Sequence, residues 1–301
     1  MLNAKNQDLK KEIARLEACP AGKIEYLHYA GFAGSEGRPM TIRRACAFRS
    51  LLEQCEKHIY ENDRIAGSAA GLSGAVHDPA AEEKIEYVRN LGERTFATHS
   101  DHAAPNYAKL MKVGIGGLLD ETAHSLGRLE QLDKDLSKKK DFLESVRISL
   151  EAFSAFIAAY AQAAKEKKRP QMQKTCQNIS IRPPRNFEEA LTLTWLVFEA
   201  FTLEGRYAMA FGRMDQYLID FYWRDLSDGR IKPQDALELL EQVFLKIGER
   251  KYLLGGDDVA NICVGGVTPD GGDGTNELSY LIIEAVKNCQ IPGPNLTVRV
   301  H

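Results

Sequence analysis

The stretch FEEALTLTWLVFEAFTL, Phe187 to Leu203, limits the possible folds more than any other part of the chain. Beyond its acidic first turn it is apolar nearly all round, so as a helix it has no face suited to water. Pro183 and Pro184 stand just ahead of it, and Glu188 and Glu189 occupy the turn where a helix end is positive. Such a helix has to be enclosed on every side. A chain of 301 residues with 44% apolar content can build the large core that this demands.

Other helical runs surround it in the sequence: Ile42 to Cys55, Tyr107 to Leu132, Phe142 to Lys168, Met214 to Leu226, Gln234 to Arg250 and Asn276 to Asn288. In the run from Phe142, the residues Phe142, Val146, Leu150, Phe153, Ile157 and Tyr160 recur at steps of three and four, which predicts one buried face. The charged stretch Asp133 to Asp141 reads as a solvated junction between helices. Strands are fewer: Tyr207 to Phe211, Asn261 to Val267 and the alternating Leu296 to Val300, each separated from the next by a helix. Strands alternating with helices predict a parallel sheet or barrel. The expected fold is mainly α with a partial parallel or mixed β-sheet, helical to about residue 205 and with barrel strands among helices over about 206–301.

Thirty-nine basic and forty-two acidic side chains leave a net charge of −3, which supplies no general attraction to nucleic acid or to an anionic membrane surface. The least polar run, Ala152 to Ala164, is far short of the ~20 residues a spanning helix needs. MLNAKNQDLKKEIARLEA lacks the apolar core of an export signal, so the expected location is the cytoplasm. Cys19, Cys46, Cys55, Cys176, Cys263 and Cys289 form no CxxC pair and are expected reduced, with most of them buried.

Three stretches hold residues suited to chemistry. THSDHAAPNY, Thr98 to Tyr107, packs His99, Asp101 and His102 together, although an HxxH pair alone is a weak metal signature and no metal is assigned. VGGVTPDGGDGTNE, Val264 to Glu277, has the glycines of a phosphate cradle but no GKS or GKT, and its acids would repel phosphate. It reads as a tight turn feeding a helix capped near Thr275. In FGRMDQYLIDFYWRDLSDGRI, from Phe211, the residues Arg213 and Asp215 read as a structural ion pair, and Tyr217, Phe221 and Tyr222 as core packing. No nucleophile with its base shows a local signature.

In order and spacing, five segments resemble the N-terminal part of a glycyl radical enzyme, the group of pyruvate formate-lyase, glycerol dehydratase and choline trimethylamine-lyase. They are RPMTIRRACAFRSLLEQCEKHIYENDRIAGS, HAAPNYAKLMKVGIGGLLDE, PPRNFEEALTLTWLVFEA, GRMDQYLIDFYWRDLSDGRI and NICVGGVTPDGGDGTNELSYLIIEA, the last followed by PGPNLTVRVH. The resemblance covers most of residues 38–301. It implies an α/β-barrel of two facing half-barrels wrapped by helices, of which residues 1–301 are the N-terminal part of a pyruvate formate-lyase-type domain.

It also implies lyase or dehydratase chemistry on a small-molecule substrate in anaerobic metabolism, cleaving a C–C, C–O or C–N bond by way of a carbon-centred radical. No bound cofactor is implied. A radical SAM activating enzyme, using S-adenosylmethionine and an iron–sulfur cluster, installs the glycyl radical on a C-terminal segment, and a cysteine thiyl radical then takes hydrogen from the substrate. The family's cysteine and glycine motifs are absent from these residues, and neither Cys263 nor Cys289 has the family's CxE context. The expectation is a chain that is incomplete after NLTVRVH, inactive alone, prone to associate through an unfinished sheet edge, and homodimeric when full length.

Two substrate-side residues carry over from the resemblance. His102 of DHAAPNY matches the histidine of a GHxxPDY segment, with Asp101 in place of glycine and Asn106 in place of aspartate. Tyr207, with Ala208, occupies the neighbourhood where glycerol dehydratase-like members place a His-Ser pair ahead of the GRxDQY segment. That departure implies a substrate other than glycerol, because a Tyr-Ala pair offers a polyol fewer hydrogen bonds. Two other readings stay open: one subunit of a split enzyme, and a noncatalytic small-molecule-binding or interaction module.

Overall fold

A computed structural model of the chain describes residues 1–92, 103–129, 135–206, 208–255 and 260–301. In chain order the elements are α1 (Ala4–Ile13), α2 (Lys23–Ala33), α3 (Met40–Gln54), a 3-10 turn (Ala69–Leu72), α4 (Ala81–Asn90), α5 (Tyr107–Gly127), α6 (Leu136–Glu166), α7 (Pro170–Ile179) and α8 (Phe187–Leu203). They continue with β1 (Ala210–Gly212), α9 (Met214–Tyr217), α10 (Ile219–Ser227), α11 (Pro233–Ile247), α12 (Glu249–Leu254), β2 (Asn261–Gly265), α13 (Glu277–Cys289) and β3 (Asn295–Arg299). The fold is mainly helical, with one small sheet among the described residues.

The all-apolar helix α8 sits where its composition requires, enclosed by α7, α10, α11, α3 and β1. Asn186 caps it by accepting the Glu189 N–H at 2.9 Å. Trp195 is 1% exposed and donates its indole N–H to the Gly67 carbonyl at 3.0 Å. Phe198 stacks on Phe211 of β1 with centroids 4.4 Å apart, which ties the central helix to the sheet. The largest apolar cluster runs through the helical part and the sheet alike, with two small ones beside it around Ile42 and Phe32.

The three strands pair in the order β1-β2-β3, all parallel, as expected. Asn261 is opposite Asn295, Cys263 opposite Thr297 and Gly265 opposite Arg299. Among the described residues β3 is the free edge, where Val298 is 56% exposed.

Several helix extents differ from the sequence expectation. α6 begins at Leu136, so that part of the Asp133–Asp141 stretch is helix, with its lysines in water. Phe142 is 59% exposed, and burial starts at Ser145 and Ile148, about a turn later than predicted. α5 is interrupted at Gly114, whose φ of 66° and ψ of −177° are not helical. A Cβ there would lie 2.5 Å from the Pro183 nitrogen, so the close passage of the Arg182–Pro183 backbone excludes any side chain. The runs from Met214 and from Gln234 each divide into two helices, at Leu218 and at Gly248. α1, α2, α4 and α7 have no counterpart in the sequence reading.

Candidate substrate-facing site

The two segments singled out by sequence reasoning lie side by side. Ala103 pairs with Met209 in parallel, and the Ala210 N–H donates to the Ala103 carbonyl at 3.0 Å. His102, the residue before this bridge, and Tyr207, two residues before Met209, lie outside the described residues, as do His99 and Asp101. The rest of the HAAPNY segment is structural. Asn106 caps α5 by accepting the Lys109 N–H, and buried Tyr107 stacks on Tyr217 with centroids 5.2 Å apart. Tyr217 in turn donates its hydroxyl to the Phe211 carbonyl at 2.9 Å.

Strand alternation divides the sheet into two faces. Ile262 and Val264 are buried against the helices, which leaves Asn261, Cys263 and, across the register, Asn295, Thr297 and Arg299 on the opposite face. That face is polar and open. A cleft of about 820 Å³ opens beside the same segments, with Pro105 and Asn106 on one wall, Arg206 on another, and Phe48, Leu110 and Phe201 among its apolar lining.

The GRMDQ segment that follows β1 holds the turn that follows β2. Arg213 and Asp215 are not an ion pair with each other. Arg213 donates to the Gly265 and Val267 carbonyls at 2.6 and 2.9 Å, while Asp215 accepts the Gly265 N–H and the Ser279 hydroxyl, each at 2.6 Å. Gln216 donates to the Gly274 carbonyl at 2.7 Å, and Val267 bridges Asp273 in antiparallel fashion. The cap of α13 is Asn276, in a reciprocal box with Ser279, rather than Thr275.

All six cysteines are free thiols. Cys46, Cys55, Cys176 and Cys289 are buried, and burial pushes the Cys55 and Cys176 thiols up to about 12 and that of Cys289 higher still. Cys263 is different: it lies half-buried on the open face of the sheet. Sequence reasoning treated Cys263 and Cys289 alike, and the alternation within NICVG was the signal that separates them. Among the described residues no group of three or more His, Cys, Asp or Glu side chains is placed to hold a metal ion, and no helix is long and apolar enough to cross a membrane.

Sequence reasoning also missed a set of ionisable side chains in the core. Asp63, Glu199, Lys246, Glu249 and Arg250 gather where α8, α11, α12 and the 3-10 turn pack together, each at most 6% exposed. His28 and Glu204 make a separate contact at 2.9 Å near the end of α8.

A parallel sheet wrapped by helices, with its polar face uncovered, is the geometry of a half-barrel. The solved structure of a glycerol-bound B12-independent glycerol dehydratase from Clostridium butyricum superposes with a TM-score of 0.85 at 22% identity, over 100% of this chain and 48% of that one. The model of pyruvate formate lyase-like proteins matches residues 90–301. The (2S)-3-sulfopropanediol dehydratase of Klebsiella oxytoca is 27% identical over 88% of this chain and 42% of that protein. The isethionate sulfite-lyase of Oleidesulfovibrio alaskensis is 30% identical over 87% of this chain and 35% of that protein. The chain belongs to the pyruvate formate lyase-like family of glycyl radical enzymes. It spans between about a third and a half of the length of these relatives.

Proposed function

We propose that residues 1–301 form the substrate-facing N-terminal portion of a glycyl radical lyase or dehydratase, acting on a small hydroxylated substrate in the cytoplasm. The observation that carries this reading is the Ala103–Met209 bridge, which pairs the HAAPNY segment, from Ala103 on, with the residues that lead into β1. His102 and Tyr207 are assigned as substrate-binding residues. The glycyl radical, once installed by a radical SAM activating enzyme, supplies hydrogen abstraction through a cysteine thiyl. This chain is read as lacking both of those groups and as inactive by itself. None of its cysteines has the sequence context of the thiyl residue, and four of the six are buried in the core.

The substrate is proposed to be something other than glycerol. Tyr207 and Ala208 stand where glycerol dehydratase-like sequences place a polar pair, and the two relatives above are named for substrates with a sulfonate group. The whole enzyme is expected to be a homodimer.

The test is anaerobic activation, with a radical SAM activase, of the gene product that contains this chain. The activated protein is then assayed against glycerol, sulfopropanediol, isethionate and hydroxyproline. The expected result is a glycyl radical signal, with turnover of a substrate other than glycerol that is lost in His102→Ala while the radical signal persists. Efficient glycerol turnover, or full activity in His102→Ala, overturns the assignment it addresses.

A further inference from the structure

The buried ionisable cluster contains more carboxyls than cations. Lys246, wholly out of solvent, directs its ammonium at the Ile65 carbonyl (2.5 Å), the Gly67 carbonyl (2.8 Å) and the Asp63 carboxylate (2.9 Å). The two carbonyls accept its hydrogen bonds, and Asp63 is its ion-pair partner. Asp63 also accepts the Tyr60 N–H at 2.8 Å. Glu249 accepts the Ser68 hydroxyl at 2.9 Å and the Ala69 N–H at 2.6 Å. Glu199 differs from both: it is 0% exposed, and neither of its oxygens meets a hydrogen-bond donor among the described residues.

Among the described residues no cation is hydrogen-bonded to Glu199. Glu249, Lys246 and Arg250 face it from α11 and α12, Tyr160 from α6 and Cys55 from the end of α3. Tyr60 and Asp63, from the loop after α3, face Glu249. Among the described residues two cations, Lys246 and Arg250, stand against three carboxyls, Asp63, Glu199 and Glu249. Three ionised carboxylates would leave one uncompensated charge in the core, and a buried group in that position takes up a proton instead. The proton falls to the carboxyl without donors. Burial, with the negative charge of Glu249 beside it, holds the Glu199 carboxyl well above the ordinary carboxylate range, and burial raises Glu249 to about 7 against the pull of Lys246.

We infer that Glu199 and Glu249 form a buried proton-binding site, in which Glu199 is a neutral carboxylic acid beside the Glu249 carboxylate and its proton keeps the core electrically balanced. The site bears on the proposed substrate segment through Arg250, which donates to the Arg206 carbonyl at 2.8 Å. Loss of the proton leaves two adjacent carboxylates competing for Arg250 and Lys246. The response is a loosening where α8 leads into β1.

The test uses Glu199→Gln, which keeps the shape of the neutral acid but cannot ionise, with Glu199→Leu as a second variant should the amide not be accommodated. Infrared spectra of the 301-residue chain at neutral pH are expected to show a carboxylic-acid C=O band that Glu199→Gln lacks. In Glu249→Gln, with the like charge gone, that band should titrate away at a lower pH than in the natural chain. Raising the pH from about 5 towards 8 should lower the folded-to-unfolded ratio of the natural chain relative to Glu199→Gln by up to about tenfold per pH unit. Hydrogen-exchange protection at residues 203–206 and 208–212, taken relative to the intrinsic exchange rate at each pH, should fall with rising pH in the natural chain and not in the variant. An identical band in Glu199→Gln, or parallel stability curves, overturns the inference. Neither readout needs a substrate, so this result is independent of the proposed catalytic role.

Discussion

Lys246 and Asp63 meet 2.9 Å apart with neither side chain exposed to solvent, joining α11 to the loop that follows α3. A pair so placed is held by its own completeness, because removing one member leaves the other charged and buried. Lys246→Met is expected to cost about 3–5 kcal/mol in urea unfolding. The double variant Asp63→Asn, Lys246→Met should recover part of that loss, which a purely steric role for Lys246 would not allow.

Asp215 joins the exits of β1 and β2 to the start of α13 through the Gly265 N–H and the Ser279 hydroxyl. Asp215→Ala strands both donors in the interior and is expected to cost about 2–4 kcal/mol, whereas Ser279→Ala, which leaves the backbone contact in place, should cost about 1 kcal/mol. Hydrogen exchange at Gly265 should accelerate in the first variant only.

Gly31 on α2 faces α3 so closely that a Cβ would lie 2.1 Å from the Cys46 carbonyl oxygen. Gly31→Ala must push the two helices apart, and a loss of about 3 kcal/mol is expected. Gly127, at the end of α5, has nothing within 4 Å of the same position. Gly127→Ala should therefore be neutral or stabilising by about 0.5 kcal/mol. Thermal melts of the two variants provide the comparison.

Asp78 governs part of the acid limb of stability. The Lys84 ammonium, then the Ala80 N–H and the Tyr26 hydroxyl, hold its carboxyl down at about 2. A depressed carboxyl stabilises the fold above its unfolded value of 3.8, and that contribution is lost as pH falls through the folded value. Melting temperature should therefore drop between about pH 4 and pH 2 more steeply in the natural chain than in Asp78→Asn. Equal slopes would show that Asp78 has no part in the acid limb.

Local periodicity revealed the large elements. The apolar circumference of Phe187–Leu203 required a central helix, and the strand–helix alternation after it required a parallel sheet, both of which the structure contains. Where the reading fell short, the pattern was short or its cause remote. α1 and α4 are ten-residue helices with few apolar positions, and the interruption of α5 at Gly114 is set by residues 181–183 rather than by its own neighbours. Arg213 and Asp215 invited pairing because they are near in sequence, yet each satisfies a backbone group of Gly265, the last residue of β2. Phe142 fits the helical stripe and is nonetheless largely exposed.

By itself, then, the sequence determined the class of fold, the family, and the segments that border the open sheet, because helix and strand periodicity and motif order are properties of neighbouring residues. Only the tertiary structure decided that Lys246 reaches Asp63 and that Glu199 is enclosed beside Glu249 without a donor among the described residues. Those outcomes depend on which distant segments the packing brings together. The charge state of a buried group is set by those neighbours, whatever its position along the chain.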